Sequence, residues 1–83
     1  MTEEGYPLEA VILVTTKLGE LWNVAEEAGK IEGVKFARPV AGRYDVVVHA
    51  QTNHLSWVIA RLHSIKGVAS TESLIALECK FEK

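Results

Sequence analysis

Ile31-Glu32-Gly33-Val34-Lys35 recurs as Ile65-Lys66-Gly67-Val68-Ala69, an offset of 67 − 33 = 34 residues. The same spacing pairs Val14 with Val48, Leu21 with Leu55, Val24 with Val58 and Ala28 with Leu62. A fixed period of this size signals a repeated supersecondary unit. Each copy holds an apolar run, an amphipathic run, a Gly-Val step and a second β-prone run. That order predicts one βαβ unit per copy. The chain then reads β-α-β-β-α-β, the ferredoxin-like arrangement of the α+β class.

The hydrophobic period changes along each copy in the way this assignment requires. Leu21, Val24, Ala25, Ala28 and Ile31 follow the spacing of a one-faced helix, and Leu55, Val58, Ile59, Leu62 and Ile65 repeat it. Asn53 suits the N-cap of the second helix, and Gly33 and Gly67 suit left-handed C-terminal positions. Runs rich in Val, Ile and Thr predict strands near Leu8–Thr15, Val34–Val40, Tyr44–Ala50 and Val68–Leu77. Ala41-Gly42-Arg43 is the turn between the second and third. Right-handed crossovers put the first and third strands at the centre of a four-stranded antiparallel sheet, with both helices on one face. Pro39 agrees, because proline in a strand is tolerated at an edge.

The central strands are apolar on both sides. Ala10, Ile12 and Val14 point one way and Val11 and Leu13 the other; Tyr44, Val46 and Val48 oppose Val47. A sheet with one solvated face alternates apolar and polar residues, and these strands do not. The pattern predicts that a second subunit covers the helix-free face, giving a dimeric α+β barrel. Size points the same way. Short domains need disulfides, a metal or oligomerisation, and the single cysteine, Cys79, allows neither an internal disulfide nor a multi-thiolate metal site.

Composition narrows the function. With 48% hydrophobic and 24% charged residues the 83-residue chain is globular, and it reads as one domain over residues 1–83 with its core at about 8–78. The net charge, 9 − 11 = −2, lacks the basic excess of a fold-wide phosphate-binding surface. The longest apolar run, Ala10–Val14, is far short of the roughly 20 residues of a membrane span and follows Glu9 rather than a basic flank. The expectation is a cytoplasmic protein without membrane or direct nucleic-acid partners. No nucleophile elbow, phosphate-cradling glycine loop or His-Glu-x-x-His is present. His54 and His63, placed on the second helix, are nine apart and do not clamp one ion; His49 reads as a core or interface residue. Cys79 falls beyond the last strand, without an electropositive pocket. No catalysis, cofactor or metal is expected. Trp22 and Trp57 lie off the two helical stripes, as ordinary exposed aromatics or as anchors for a further subunit contact.

Gly42-Arg43-Tyr44-Asp45 supports two readings. One is a hairpin turn in which Gly42 supplies positive φ and Asp45 starts the next strand. The other is a ligand loop, with backbone N–H groups for a carboxylate and Asp45 for an ammonium. Thr71 and Ser73 are two apart on the last strand, so their hydroxyls share a side; they are either ordinary edge polarity or part of the same site. Brought together, these groups would accommodate a zwitterion.

In these features the chain resembles the ligand-binding domain of the Lrp/AsnC transcriptional regulators, the domain known as RAM. The resemblance spans about residues 8–78. It rests on the Ile-x-Gly-Val step at Ile31–Val34, the Gly-x-Tyr-Asp hairpin at Gly42–Asp45, and Gly-Val-x-x-Thr-x-Ser at Gly67–Ser73. It implies a face-to-face homodimer, higher assembly in an octamer-like ring, and an amino-acid effector bound between dimers. Gly42, Tyr44 and Asp45 would supply loop contacts, Thr71 and Ser73 strand contacts. Arg43, at a loop position that varies in the family, would tune effector charge or line the subunit contact. Seven residues before the first strand are too few for a helix-turn-helix, so the expectation is a module that senses an effector without a DNA-binding domain of its own. It could co-assemble with a full-length regulator. The rival readings are a ligand-free structural module that joins such regulators or a metabolic enzyme, and a barrel enzyme using His49 or Tyr44.

Overall fold

The computed structural model describes residues 8–77, which follow the order the repeat predicts. Strand β1 (Leu8–Thr16) leads to helix α1 (Leu21–Ala28) and β2 (Val34–Pro39); β3 (Val46–Thr52), α2 (Leu55–His63) and β4 (Val68–Ile75) repeat the unit. The sheet order is β2-β3-β1-β4, antiparallel at every pairing. The first and third strands are central, and Pro39 closes an edge strand, as expected.

The repeat extends to single hydrogen bonds. Gly33 C=O accepts from Gln51 N–H at 2.7 Å, and Gly67 C=O accepts from Lys17 N–H at 2.8 Å. Donors and acceptors are each separated by the repeat, 51 − 17 = 34 and 67 − 33 = 34. The N-caps Glu20 and His54 obey the same offset.

The glycines adopt positive φ, +96° at Gly33 and +102° at Gly67, but they are not helix caps. The helices end earlier, at Ala28 and His63, because the chain tightens into turns closed by Ile31 N–H to Ala28 C=O and Ile65 N–H to Leu62 C=O. Each glycine instead opens the next strand. Asn53 is likewise displaced as N-cap by His54, whose N–H is bound by the Thr52 hydroxyl at 2.9 Å. His54 therefore precedes α2 rather than lying on it. The strand edges shift too. Strand β3 begins at Val46, leaving Tyr44 in the connection, β2 stops at Pro39 and β4 at Ile75.

Both helices pack on one face. Ala10, Ile12, Val14, Val46, Val48 and Ala50 from the central strands are buried against Val24, Ala28, Val58 and Leu62. Each large apolar side chain so buried contributes roughly 1.5–3 kcal/mol. Trp22 and Trp57 lie outside this stripe, exposed, with the Arg61 guanidinium 5.8 Å from the Trp57 ring centre.

On the other face the register aligns Val11 with His49 and Leu74, and Leu13 with Val47 and Glu72. Phe36 stands beside His49 and Arg38 beside Val47. Among the described residues no element covers this face. Phe36 is 40% and Leu74 50% exposed. The apolar centre predicted on both sides of β1 is therefore present, with its second side open.

Candidate functional site

The connection between β2 and β3, residues 40–45, is folded against the end of β1 by one residue. Asp45 donates its N–H to Val14 C=O and accepts from Val40 N–H through its C=O, both at 2.9 Å. Its carboxylate Oδ2 accepts from Thr16 N–H at 2.7 Å and from the Thr16 hydroxyl at 3.3 Å. A short acidic side chain at the mouth of a hairpin is well suited to such a clamp. That oxygen is committed to the fold. Gly42, exposed at the tip with φ +143°, meets nothing within 4 Å of an added Cβ, so backbone conformation, not space, requires glycine there.

Tyr44 leaves the connection on the open side. Strand β1 lies between β3 and β4, so Tyr44 must cross the end of β1 to donate its hydroxyl to Glu72 Oε1 at 2.5 Å. That carboxylate, by accepting the hydrogen bond from the protonated phenol, holds it above its usual 10.0, while the neighbouring Arg43 acts in the opposite direction. Tyr44 is therefore a neutral donor at physiological pH. Arg43, Tyr44 and Glu72 together form a small polar cluster carrying both signs of charge.

Thr71 and Ser73 do share a side, as their spacing predicts, and it is the helix-covered one: Thr71 aligns with Val14 and Ser73 with Ile12. The Thr71 hydroxyl lies 3.0 Å from His63 Nε2 of α2. The candidates are therefore divided between two faces, and Ser73, aligned with Ile12, lies at the middle of β1 rather than at its end. Arg43, Tyr44 and Asp45 stand with the hairpin and Thr71 and Ser73 lie across edge strand β4, beneath Glu72. A single ligand touching both groups would wrap around this edge. The sequence reading missed Glu72. Only half of its signal was available: the residue between Thr71 and Ser73 must face opposite to them, but which face that is depends on the register with β1.

Two surface clefts lie elsewhere. One of about 660 Å3 borders the start of α2 and includes Glu32, Gln51, His54 and Trp57; another of about 550 Å3 runs between the helices past Asn23, Lys30 and Arg61. Neither is lined by a hairpin residue. Among the described residues no group of three or more His, Cys, Asp or Glu could hold a metal ion, and no helix is long and apolar enough to cross a membrane. Cys79 lies outside the described residues.

The fold has close counterparts among solved structures. TTHA0845 of Thermus thermophilus superposes with a TM-score of 0.83 at 23% identity, over 90% of this chain and 99% of that one. AsnC of E. coli gives 0.79 at 19% identity, over 95% of this chain and 56% of its own. The Neisseria meningitidis transcriptional regulator NMB0573, solved as its complex with L-methionine, gives 0.74 at 23% identity, over 92% and 53% respectively. The chain thus spans about half the length of the two regulators. No curated protein matches it. The model of the Lrp/AsnC ligand binding domain matches residues 9–82, nearly the whole chain, and the protein belongs to that family of regulatory ligand-binding domains.

Proposed function

We propose that this protein is an effector module that binds an amino acid, or a metabolite with the same paired charges, at the hairpin end of its sheet. A second copy covers the open face. The observation that carries this reading is the meeting of Arg43, Tyr44 and Glu72 at the edge of an uncovered apolar face, in a chain of the Lrp/AsnC ligand-binding family. Arg43 would take the effector carboxylate and Glu72 the ammonium, with Gly42 leaving the loop backbone accessible. Thr71 and Ser73 would offer hydroxyls from beyond the strand edge. Asp45 would act by holding the hairpin in place. The methionine complex of the Neisseria regulator supports the amino-acid class.

Regulation follows from linkage. An effector touched by two dimers favours the assembled state by the difference between its affinities for the two states. The resulting ring, of octamer type, would regulate amino-acid metabolism or transcription in the cytoplasm, alone or with a full-length regulator. Catalysis has no part in this reading.

A second reading is favoured by one specific observation: both hairpin-end carboxylates already have partners, Asp45 with Thr16 and Glu72 with Tyr44. The module would then assemble with its regulator or enzyme partner without any ligand. Isothermal titration with each of the twenty amino acids separates the two. The first reading predicts saturable binding of at least one of them, weakened in Glu72→Gln and Arg43→Ala. Absence of binding to any leaves the ligand-free assembly as the function.

A further inference from the structure

Among the described residues, the open face contains one histidine–carboxylate contact next to its apolar centre. His49 Nε2 lies 2.7 Å from Glu9 Oε2, between strands β3 and β1. The other side of the imidazole faces Phe36, ring centres 5.3 Å apart, and the Arg38 guanidinium stands 4.7 Å from the Phe36 ring centre. Glu9, His49 and Phe36 thus make a row of contacts across three strands, with Arg38 beside Phe36 two residues further along β2.

The remaining charged groups near this row are otherwise engaged or displaced. Glu72 of β4 is bound by Tyr44. Lys35 occupies the register shift of β2 and has no partner residue in β3. Across β1 from His49 stand Val11 and then Leu74, both apolar. Glu9 has His49 as its salt-bridge partner among the described residues.

Resting on the dimer reading above, we infer that the Glu9–His49 pair makes self-association of this chain pH-dependent, tightening as His49 takes up a proton. The argument is one of desolvation. In the single chain the Glu9 carboxylate is half exposed and water screens it. A twin packed on the open face removes that water. A carboxylate enclosed beside a neutral imidazole is costly, whereas one enclosed beside an imidazolium is paired. Assembly therefore favours the charged imidazole and takes up a proton. Histidine is the side chain whose ordinary titration falls between pH 5 and 8. The extra stabilisation of the dimer is present where the imidazole is charged and is lost as pH rises.

His54 and His63 are the controls supplied by the molecule. His54 caps α2, and His63 meets Thr71 on the helix-covered side, so neither faces the twin.

Sedimentation equilibrium of the full chain at pH 6.0 and pH 8.0 reads this directly. Linkage allows at most about a tenfold change in Kd per pH unit for each proton taken up, and a dimer has two pairs. The expected result is a lower Kd at pH 6.0 than at pH 8.0, within that ceiling. His49→Gln should make Kd independent of pH, Glu9→Gln should abolish the tightening at acid pH, and His54→Gln should leave the dependence as it is. Circular dichroism confirms that the variants are folded. A dimer whose Kd is the same at both pH values overturns the inference and leaves the dimer standing, as does a tightening at acid pH that survives in Glu9→Gln. A folded monomer at both pH values overturns the dimer reading and this inference with it.

Discussion

Replacing Gly67 with alanine tests whether the repeat is held by the close approach of its glycine to the first copy. Gly67 has φ +102°, and a Cβ built there would lie 2.4 Å from Glu20 Cβ, 2.7 Å from its Cγ and 3.2 Å from Val24 Cγ2. The first two contacts are closer than van der Waals packing allows, and Glu20 Cβ cannot swing away because it is fixed to the backbone of the N-cap of α1. Two costs add. An L-residue held at positive φ loses about 1–2 kcal/mol, and forcing atoms into filled space costs about 1–3 kcal/mol more. Gly19 separates them, because it has φ +82° with nothing within 4 Å of an added Cβ. Gly19→Ala should therefore show the backbone cost alone, and Gly67→Ala about 2–5 kcal/mol in all. Urea denaturation followed by circular dichroism, at one fixed protein concentration, provides the comparison. Relief comes from Glu20→Gly, since glycine is tolerated at an N-cap and Glu20 makes no side-chain cap bond. In that background Gly67→Ala should cost no more than Gly19→Ala. If Gly67→Ala and Gly19→Ala lose the same stability in the otherwise unchanged protein, the steric reasoning is wrong.

Two further outcomes bear on the hairpin and the open face. The chain has two tyrosines, and the one bound to a carboxylate, Tyr44, should ionise at higher pH than an ordinary phenol. An alkaline absorbance titration should show the late component vanish in Tyr44→Phe and move to lower pH in Glu72→Gln. Because the folded-state value is raised, the stabilisation linked to this proton is fully present below pH ~10 and is lost as pH climbs through the raised value. An early, ordinary titration of both phenols would remove Tyr44 from the cluster. Leu13→Glu places a charge at the centre of the open face, where Leu13 aligns with Val47 and Glu72. It should leave the fold intact and raise the dimer Kd by at least about a hundredfold, since burying an unpaired charge costs several kcal/mol. A light-scattering mass equal to that of the unaltered protein would place the subunit contact elsewhere.

Topology was readable in the sequence because a duplication leaves the same physical requirement twice. Gly33 and Gly67 each begin a strand with positive φ, and each is followed by Val, so an offset of 34 located six elements at once. The face-by-face pattern of Ile12, Val14, Val46 and Val48 was equally plain, because alternation inside a strand is strict. What could not be read lies where that rule ends. Tyr44 was assigned to the side of Val46 by counting in twos, but it precedes the strand, and outside a ladder nothing enforces alternation. The helix ends were misplaced for a similar reason: Ile31 and Ile65 continue the apolar stripe past the last helical residue, serving the turn rather than the helix. Asp45 has the residue type of a ligand group and the contacts of a structural clamp, and only its distance to Thr16 distinguishes the two. Thr71 and Ser73 were correctly paired with one another, but which face they shared depended on the register with β1.

The claim on which the rest depends is that the open face, with half-buried Val11, Leu13 and Val47 and exposed Phe36 and Leu74, is enclosed by a second copy. Sedimentation velocity of the unaltered protein across the micromolar range addresses it without mutation. The account predicts a species of twice the 9.1 kDa chain mass or a multiple of that, persisting on dilution to about 1 μM, as expected for a mainly apolar interface of standard size. A well-folded species of single-chain mass throughout that range would contradict it.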